Sequence, residues 1–248
     1  MKSFVCVKRV PDTAANIRVN QQGRVETDGL EFVTSPYDEY ALEEAVRIKE
    51  QQEDGEVVVI SLGGADVKKT IQDALARGGD RGIHLFDDDP RDPHATACAL
   101  SDVIEDEDPD LIWFGKHAVD DDGYQVGSIV AARLNLPVAT FVVDVQVEDD
   151  QVRVERESDD GVETLTLDQP CVLTAEKGLN EPRYASLQEI MQAKQKEIDR
   201  LEATPVESTV EVLKHEEPPE RPPGEIVGEG PEAVPELVRK LREEAGVI

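Results

Sequence analysis

The stretch LIWFGKHAVDDDGYQVG, residues 111–127, decides the fold. It opens on an apolar run of strand length, breaks at Gly115, and passes through a polar loop into a helical pattern of Val126, Ile129, Val130 and Leu134. A strand that hands over to a helix in this way is where an α/β sheet binds ligands. The first amides of the helix have no partner there, and the helix dipole adds partial positive charge. Gly115, Gly123 and Gly127 let backbone approach a ligand closely. Asp120, Asp121 and Asp122 fit a phosphate site less simply, because carboxylates repel phosphate. Either they turn away and accept hydrogen bonds from hydroxyls or amides, or they hold a cation; an acidic N-cap cluster on a surface loop is the third reading.

Upstream, the same strand-to-helix cycle recurs. Ser3–Val7 reads as a buried strand ending at the basic pair Lys8 and Arg9 and a turn at Pro11-Asp12. The sequence predicts a helix from Pro36 to about Glu50, with Ser35 as N-cap, Pro36 at the first position and Asp38 completing something close to a capping box. Val57–Leu62 is an apolar strand closed by Gly63-Gly64, followed by a helix with Val67, Ile71, Ala74 and Leu75 on one face and a stop at Gly78-Gly79. Gly82–Phe86 is a further strand, and Asp92-Pro93 starts a helix carrying Ala97, Leu100 and Ile104. Continuous apolar strands alternating with helices imply a mostly parallel sheet with helices on both faces. The turn after Val7, the Gly63-Gly64 turn and the 115–127 loop then lie on one sheet edge. Neither GxGxxG nor GxxxxGK[ST] occurs, so no dinucleotide fingerprint or P-loop is claimed.

Downstream of Pro137 the period changes to two. Val143, Val145 and Val147 alternate with polar residues, as do Val152 and Val154, with turns at Glu148-Asp149-Asp150 and Asp159-Asp160-Gly161. This antiparallel section ends in an apolar strand, Cys171–Ala175, and a helix is expected from about Ser186 to Arg200. Residues 203–230, with Pro205, Pro218, Pro219, Pro222 and Pro223 among acids and glycines, read as an extended arm. Pro231–Ile248 recovers a helical face of Val234, Leu237, Val238 and Leu241 that must dock, on a second polypeptide or on its own domain. The expected organisation is a nucleotide-binding α/β domain over 1–200 and a C-terminal arm with a terminal helix over 201–248.

Fifty-five acidic against twenty-six basic residues give a formal net charge of −29. That field argues against nucleic acid and anionic lipid as partners. Because the acids are spread along the whole chain, a surface adapted to concentrated salt explains them better than an acidic tail. The N-terminal MKSFVCVKRV meets charge after a few apolar residues, so neither a signal peptide nor a membrane span is expected, and the location expected is cytoplasmic. Cys6, Cys98 and Cys171 have no disulfide or metal spacing, and Cys6 and Cys171 are most simply small core residues. The four histidines show no ligand spacing, and no nucleophile arrangement is present, so neither a metal site nor a catalytic residue is expected.

Five segments carry a family likeness: VCVKRVPDT at 5–13, SPYDEYALEEAVRIKE at 35–50, ALARGGDRGIHL at 74–85, GKHAVDDDGYQVG at 115–127 and TAEKGLNEPRYASLQEIMQAKQKEI at 174–198. Together they resemble the β subunit of electron transfer flavoprotein, colinearly from near the first residue to about residue 200. The resemblance implies an adenine nucleotide alpha hydrolase-like fold and a non-enzymatic electron carrier. It further implies a structural AMP in this subunit, with the redox FAD held mainly by an α subunit. Electrons would arrive from acyl-CoA dehydrogenases and related flavoenzymes and leave to a membrane quinone oxidoreductase. Carried over by position, the AMP site comprises Cys6, Ser35, Pro36, Tyr37, Asp38 and Leu62. It continues through the loop Gly115, Lys116, His117, Ala118, Val119, Asp120, Asp121, Asp122, Gly123, Tyr124, Gln125 and Val126.

By the same resemblance Tyr37 lies near the α-subunit flavin. Leu187 anchors a recognition loop for donor dehydrogenases, with Met191 and Lys194 on the helix behind it, and the tail from 203 wraps onto the α subunit. Read from the residues alone, Tyr37 serves equally as an aromatic packed on its own helix start, Leu187 as a core residue, and His117 as a polar loop residue. The chain departs from the family at Tyr124-Gln125-Val126, where many AMP-binding relatives have Asn-Gln-Thr; His117 stands for a common glutamine and Ser35 for an asparagine. A second reading is the electron-bifurcating relative that binds a second FAD here and oxidises NADH. Gln125-Val126-Gly127 favours it, whereas Asp120-Asp121-Asp122 and Asn180-Glu181-Pro182 favour AMP.

Overall fold

The computed structural model describes residues 1–52, 54–148, 150–219 and 223–248. Glu53, Asp149 of the turn expected at 148–150, and Pro222 of the expected arm lie outside the described residues. The chain forms two compact units, Met1–Ile17 with Thr27–Leu213, and Arg18–Glu26 with Lys214–Ile248.

The larger unit is built on β1 (Lys2–Cys6), β2 (Arg9–Pro11), β3 (Phe32–Thr34), α1 (Pro36–Gln52), β4 (Glu56–Gly63), α2 (Val67–Ala76), β5 (Arg81–Phe86), α3 (Pro93–Glu107) and β6 (Leu111–Gly115). After these come α4 (Val126–Leu134), β7 (Val138–Glu148), β8 (Gln151–Ser158), β9 (Gly161–Asp168), β10 (Cys171–Ala175), α5 (Leu187–Ala193) and β11 (Ile198–Glu202). Among the described residues nine strands form one sheet in the order β11-β5-β4-β1-β6-β10-β7-β8-β9. It is parallel from β11 to β7, and β8 and β9 pair antiparallel.

The apolar runs make this sheet because alternate residues are buried on opposite faces. In β1, Val5 joins a core with Leu42 of α1 and Ile71 of α2, while Phe4 and Cys6 join the opposite core with Leu100 of α3 and Val130 of α4. Asp92 caps α3 by accepting from the Ala95 amide at 2.7 Å, with Pro93 at the first turn. The period-two stretch forms the hairpin β7–β8, which joins the parallel sheet through β10.

Three expectations are corrected. The helix foreseen over 186–200 is only the seven-residue α5, and Ile198–Glu202 instead pairs parallel with β5 as an edge strand. The charged run Lys194–Glu197 offers no apolar face to prolong a helix. The open edge of β5 offers unpaired backbone groups, and Lys196 Nζ turns the chain by donating to Leu75 and Gly79 carbonyls at 2.9 and 2.5 Å. The Ser35–Asp38 capping box does not form, because the Asp38 carboxylate is spent on other segments and Ser35 Oγ is buried without a partner. Finally, the turn at Pro11-Asp12 is the end of an antiparallel ribbon, β2–β3, too short to show a period in the sequence.

In the smaller unit, Val19 and Val25 form an isolated antiparallel bridge, and the His215 amide donates to Gly23 O at 2.9 Å. The terminal helix comprises a 3₁₀ turn at Pro231–Ala233, α6 (Val234–Arg239) and a π turn at Lys240–Glu244. Arg239 pairs with Glu236, Glu243 and Glu244, while Val234 and Leu237 stay exposed. So short a helix with its apolar side in water requires a covering surface.

Candidate functional site

The strand order reverses around β1. The chain moves outward through β4 and β5, then returns to place β6 on the other side of β1. Crevices open at such switch points beyond the carboxyl ends of the strands. Within the larger unit a cleft of about 940 Å³ lies there, lined by the residues after β1 (Cys6–Arg9), after β4 (Leu62–Gly64), after β5 (Asp87–Arg91) and after β6 (Phe114–Ala118 and Gly123–Gly127).

Asp38 ties the edge together. From the first turn of α1, its buried carboxylate accepts the Lys8 amide at 2.7 Å and the Gly115 amide at 2.9 Å, so one side chain joins the ends of β1 and β6. Burial raises its pKa to about 7 against the two hydrogen bonds that favour the ion. Only glycine fits at 115: a Cβ there would come within 2.5 Å of Asp38 Oδ1 and 2.7 Å of the Tyr37 carbonyl carbon. Gly127 brings the start of α4 against Phe114 and Thr174, whose atoms would stand 3.2 Å from an added Cβ.

The three carboxylates of the loop turn to partners within the protein. Lys8 Nζ meets Asp120 Oδ1 at 2.8 Å and Asp121 Oδ2 at 3.0 Å. Burial alone would lower the Lys8 pKa, but the hydrogen bond and charge of Asp120, then Asp121, leave it raised. Asp121 also accepts the Gly123 amide at 3.0 Å, and Asp122 lies 3.1 Å from His117 Nε2. Their geometry is therefore that of caps and counter-ions. Among the described residues no group of three or more His, Cys, Asp or Glu could hold a metal ion.

An aromatic row backs the loop. His117 lies between Tyr37 and Tyr124 with ring centroids at 4.5 and 4.4 Å and the rings tilted by 56° and 60°, and Tyr124 meets Phe141 at 5.8 Å. Tyr124 and Phe141 are both held at positive φ, 56° and 60°, an uncommon strain for bulky side chains. Burial lowers the His117 pKa against the charge of Asp122, and its Nδ1 is buried without a partner. Lys116 Nζ pairs with Glu176 at 2.7 Å and lies 4.6 Å from the Tyr37 ring centre. Burial pushes the Cys6 thiol well up, which makes it a core group rather than a nucleophile.

Of the residues named from the sequence, Cys6, Asp38, Leu62, Gly115, Lys116, His117, Ala118, Asp121, Gly123, Tyr124, Gln125 and Val126 line the cleft. Tyr37, Asp120 and Asp122 support it from behind through His117 and Lys8, while Ser35, Pro36 and Val119 are outside the lining. Leu187 and Met191 are elsewhere, 78% and 63% exposed, and Lys194 is exposed beside them. Lys8, the Asp87–Arg91 segment and Phe141 were not among the residues expected. Lys8 was signalled by the basic pair after the first strand; Phe141 carries no local signal, since its place depends on the β7 backbone.

A family model described as the electron transfer flavoprotein domain matches residues 22–206. The electron transfer flavoprotein subunit beta of Mus musculus is 42% identical over 252 residues, covering 98% of this chain and 97% of its own. The mitochondrial subunit beta of Arabidopsis thaliana is 42% identical over 255 residues, with 100% of both chains covered. That of Bradyrhizobium diazoefficiens is 43% identical over 253 residues, again covering 100% of each. With this likeness running the whole length of a sheet whose ligand edge is already described, the chain belongs to the electron transfer flavoprotein β-subunit family.

Proposed function

We propose that this chain is the β subunit of a heterodimeric electron carrier whose α subunit holds most of the contacts to a redox FAD, and that the cleft at the sheet edge binds AMP as a structural ligand. Electrons pass from acyl-CoA dehydrogenases and related flavoenzymes to a membrane quinone oxidoreductase, and the chain itself catalyses no reaction. The carrying observation is the cleft wall. The three carboxylates of its 120–122 loop are engaged by Lys8, His117 and backbone, leaving the open amides at the start of α4 for a phosphate.

The residues present fit an adenylate. Gly115 and Gly127 stand where any Cβ would press on Asp38, Tyr37, Phe114 or Thr174, so glycine keeps this wall of the cleft closely packed. Backbone amides at the start of α4 offset the hydroxyl and amide side chains missing at Tyr124 and Val126, since they cradle a monophosphate without them. The bound nucleotide completes a core between the ends of β1, β4 and β6 and takes no part in electron transfer. The flavin of the α subunit supplies the redox chemistry; this chain contributes Tyr37, held between Lys116 and His117, as an ordered aromatic at its border.

Tyr184, Leu187 and Met191 form the surface that donor dehydrogenases meet, with Lys194 beside them. The α/β domain over 1–200 binds the nucleotide, and the arm over 201–248 packs on the α subunit, which covers the exposed side of α6. Among the described residues no helix is long and apolar enough to cross a membrane. The carrier is cytoplasmic and meets its quinone oxidoreductase at the membrane surface. The net charge of −29 supports a surface adapted to concentrated salt and argues against nucleic acid as a partner.

The second reading, a bifurcating subunit with a second FAD, draws on Gln125-Val126-Gly127 and on the extension of the cleft to Asp87–Arg91. Offering the heterodimer an acyl-CoA dehydrogenase with its substrate and, separately, NADH tests the choice: the dehydrogenase reduces the carrier's flavin, and NADH is left unoxidised. Oxidation of NADH by the heterodimer would replace this reading with the bifurcating one.

A further inference from the structure

The segment that presents Tyr184, Leu187 and Met191 is held by neither a strand nor a long helix, yet these side chains are 93%, 78% and 63% exposed. Its support is α1. Arg183 Nε and Nη2 donate to the two oxygens of Glu43 at 2.8 and 3.0 Å, and Nη1 and Nη2 donate to those of Glu50 at 2.7 and 3.0 Å. The Arg183 amide adds a bond to Glu43 Oε2 at 3.1 Å. Three residues earlier, Asn180 Nδ2 donates to Tyr40 O at 2.9 Å and to Glu44 Oε2 at 2.8 Å. Three residues later, Ser186 and Glu189 form a capping box that starts α5.

Glu43 and Glu50 are seven positions apart and therefore on one face of α1. A guanidinium fork laid across both fixes the direction of the chain as well as its position, which a point charge cannot do. The Glu43 arm is buried and persists in concentrated salt, whereas the Glu50 arm is half exposed and screened.

We propose that Arg183 is a positioning residue: clamped across Glu43 and Glu50 of α1, it holds the apolar knuckle Tyr184–Met191 ready to enter an apolar pocket on an electron-donating flavoprotein. The inference rests on the reading above that this segment docks donors. Preorganisation of an exposed loop lowers the cost of binding without altering the redox centre. Its loss therefore falls on KM and spares kcat.

Initial rates of flavin reduction by an acyl-CoA dehydrogenase and its substrate, measured against heterodimer concentration, test this. Arg183→Gln raises KM by about tenfold with kcat within about twofold, with flavin and adenylate content unchanged and a lowered thermal midpoint, because the buried Glu43 carboxylate loses its partner; Arg183→Lys is intermediate. An unchanged KM in Arg183→Gln, with KM raised in Leu187→Ala, overturns the clamp alone. An unchanged KM in both overturns the docking reading beneath it. Loss of flavin and kcat together with KM makes Arg183 merely structural and also overturns the proposal. Should Arg183→Gln fail to assemble, Glu50→Gln removes only the exposed arm: a KM rise of about twofold to threefold supports the clamp, and no rise sinks it.

Discussion

The 115–127 loop and the 180–191 segment are both irregular, yet they treat their side chains in opposite ways. In the first, three carboxylates, a histidine and a lysine are turned onto protein partners, and the backbone amides are left facing a cleft. In the second, polar groups are spent inward on α1, and the large apolar groups are left in water. A loop that settles its charges internally and offers backbone is suited to a small anionic ligand. One that settles its hydrogen bonds internally and offers Leu187 and Met191 is suited to another protein.

The largest effect expected from breaking this contrast is at Gly115. Gly115→Ala drives a methyl into Asp38 and the Tyr37 backbone, neither of which can move freely, and costs ~3 kcal/mol by overpacking. A lowered thermal midpoint with loss of bound adenylate is the expected result; full retention of both would mean the loop is looser than its geometry. Leu187→Ala is the counterpart. Its stability change stays within ~0.5 kcal/mol, as for an exposed position, while reduction by donor dehydrogenases slows at constant flavin content. An undiminished rate removes Leu187 from the docking surface.

Asp38 gives a subtler signature. Its folded pKa of about 7 stands above the ordinary 3.8, so the folded state holds this proton more tightly. The associated stability is fully present below about pH 3.8 and is lost as pH rises through about 7. The difference in unfolding free energy between the wild type and Asp38→Asn therefore declines across that window and is flat above it. Paired denaturation curves at several pH values would show this, and a difference independent of pH would contradict it. Smaller still, and spread over the surface, is the effect of salt. With a net charge of −29 on this chain alone, the heterodimer gains stability between dilute buffer and molar salt as self-repulsion is screened. A heterodimer more stable in dilute buffer would oppose the salt-adapted reading.

The cleft was legible in outline from its local sequence. Apolar runs ending at Gly63 and Gly115 placed their loops on one edge, because a parallel sheet gathers all strand ends together. Asp38 was legible only as a helix-start residue. Its actual partners, Lys8 and Gly115, are 30 and 77 positions away and meet it only once the sheet forms. The strand at Ile198–Glu202 was hidden for a related reason, since what decides it is the unpaired edge of β5 and not the helix-forming residues before it. Leu187 sits at the edge of what a sequence can tell. An apolar residue at a helix start reads as core, and only the family resemblance proposed it as an anchor; its exposure leaves it free for that role.

The central claim is that the cleft beyond β1, β4 and β6 holds a nucleotide that completes the fold and never reacts. Denaturing the purified heterodimer and counting what it releases tests this most directly. One AMP and one FAD per heterodimer is the expected result, whereas two FADs, or FAD with no adenylate beside it, would contradict a structural nucleotide in the cleft.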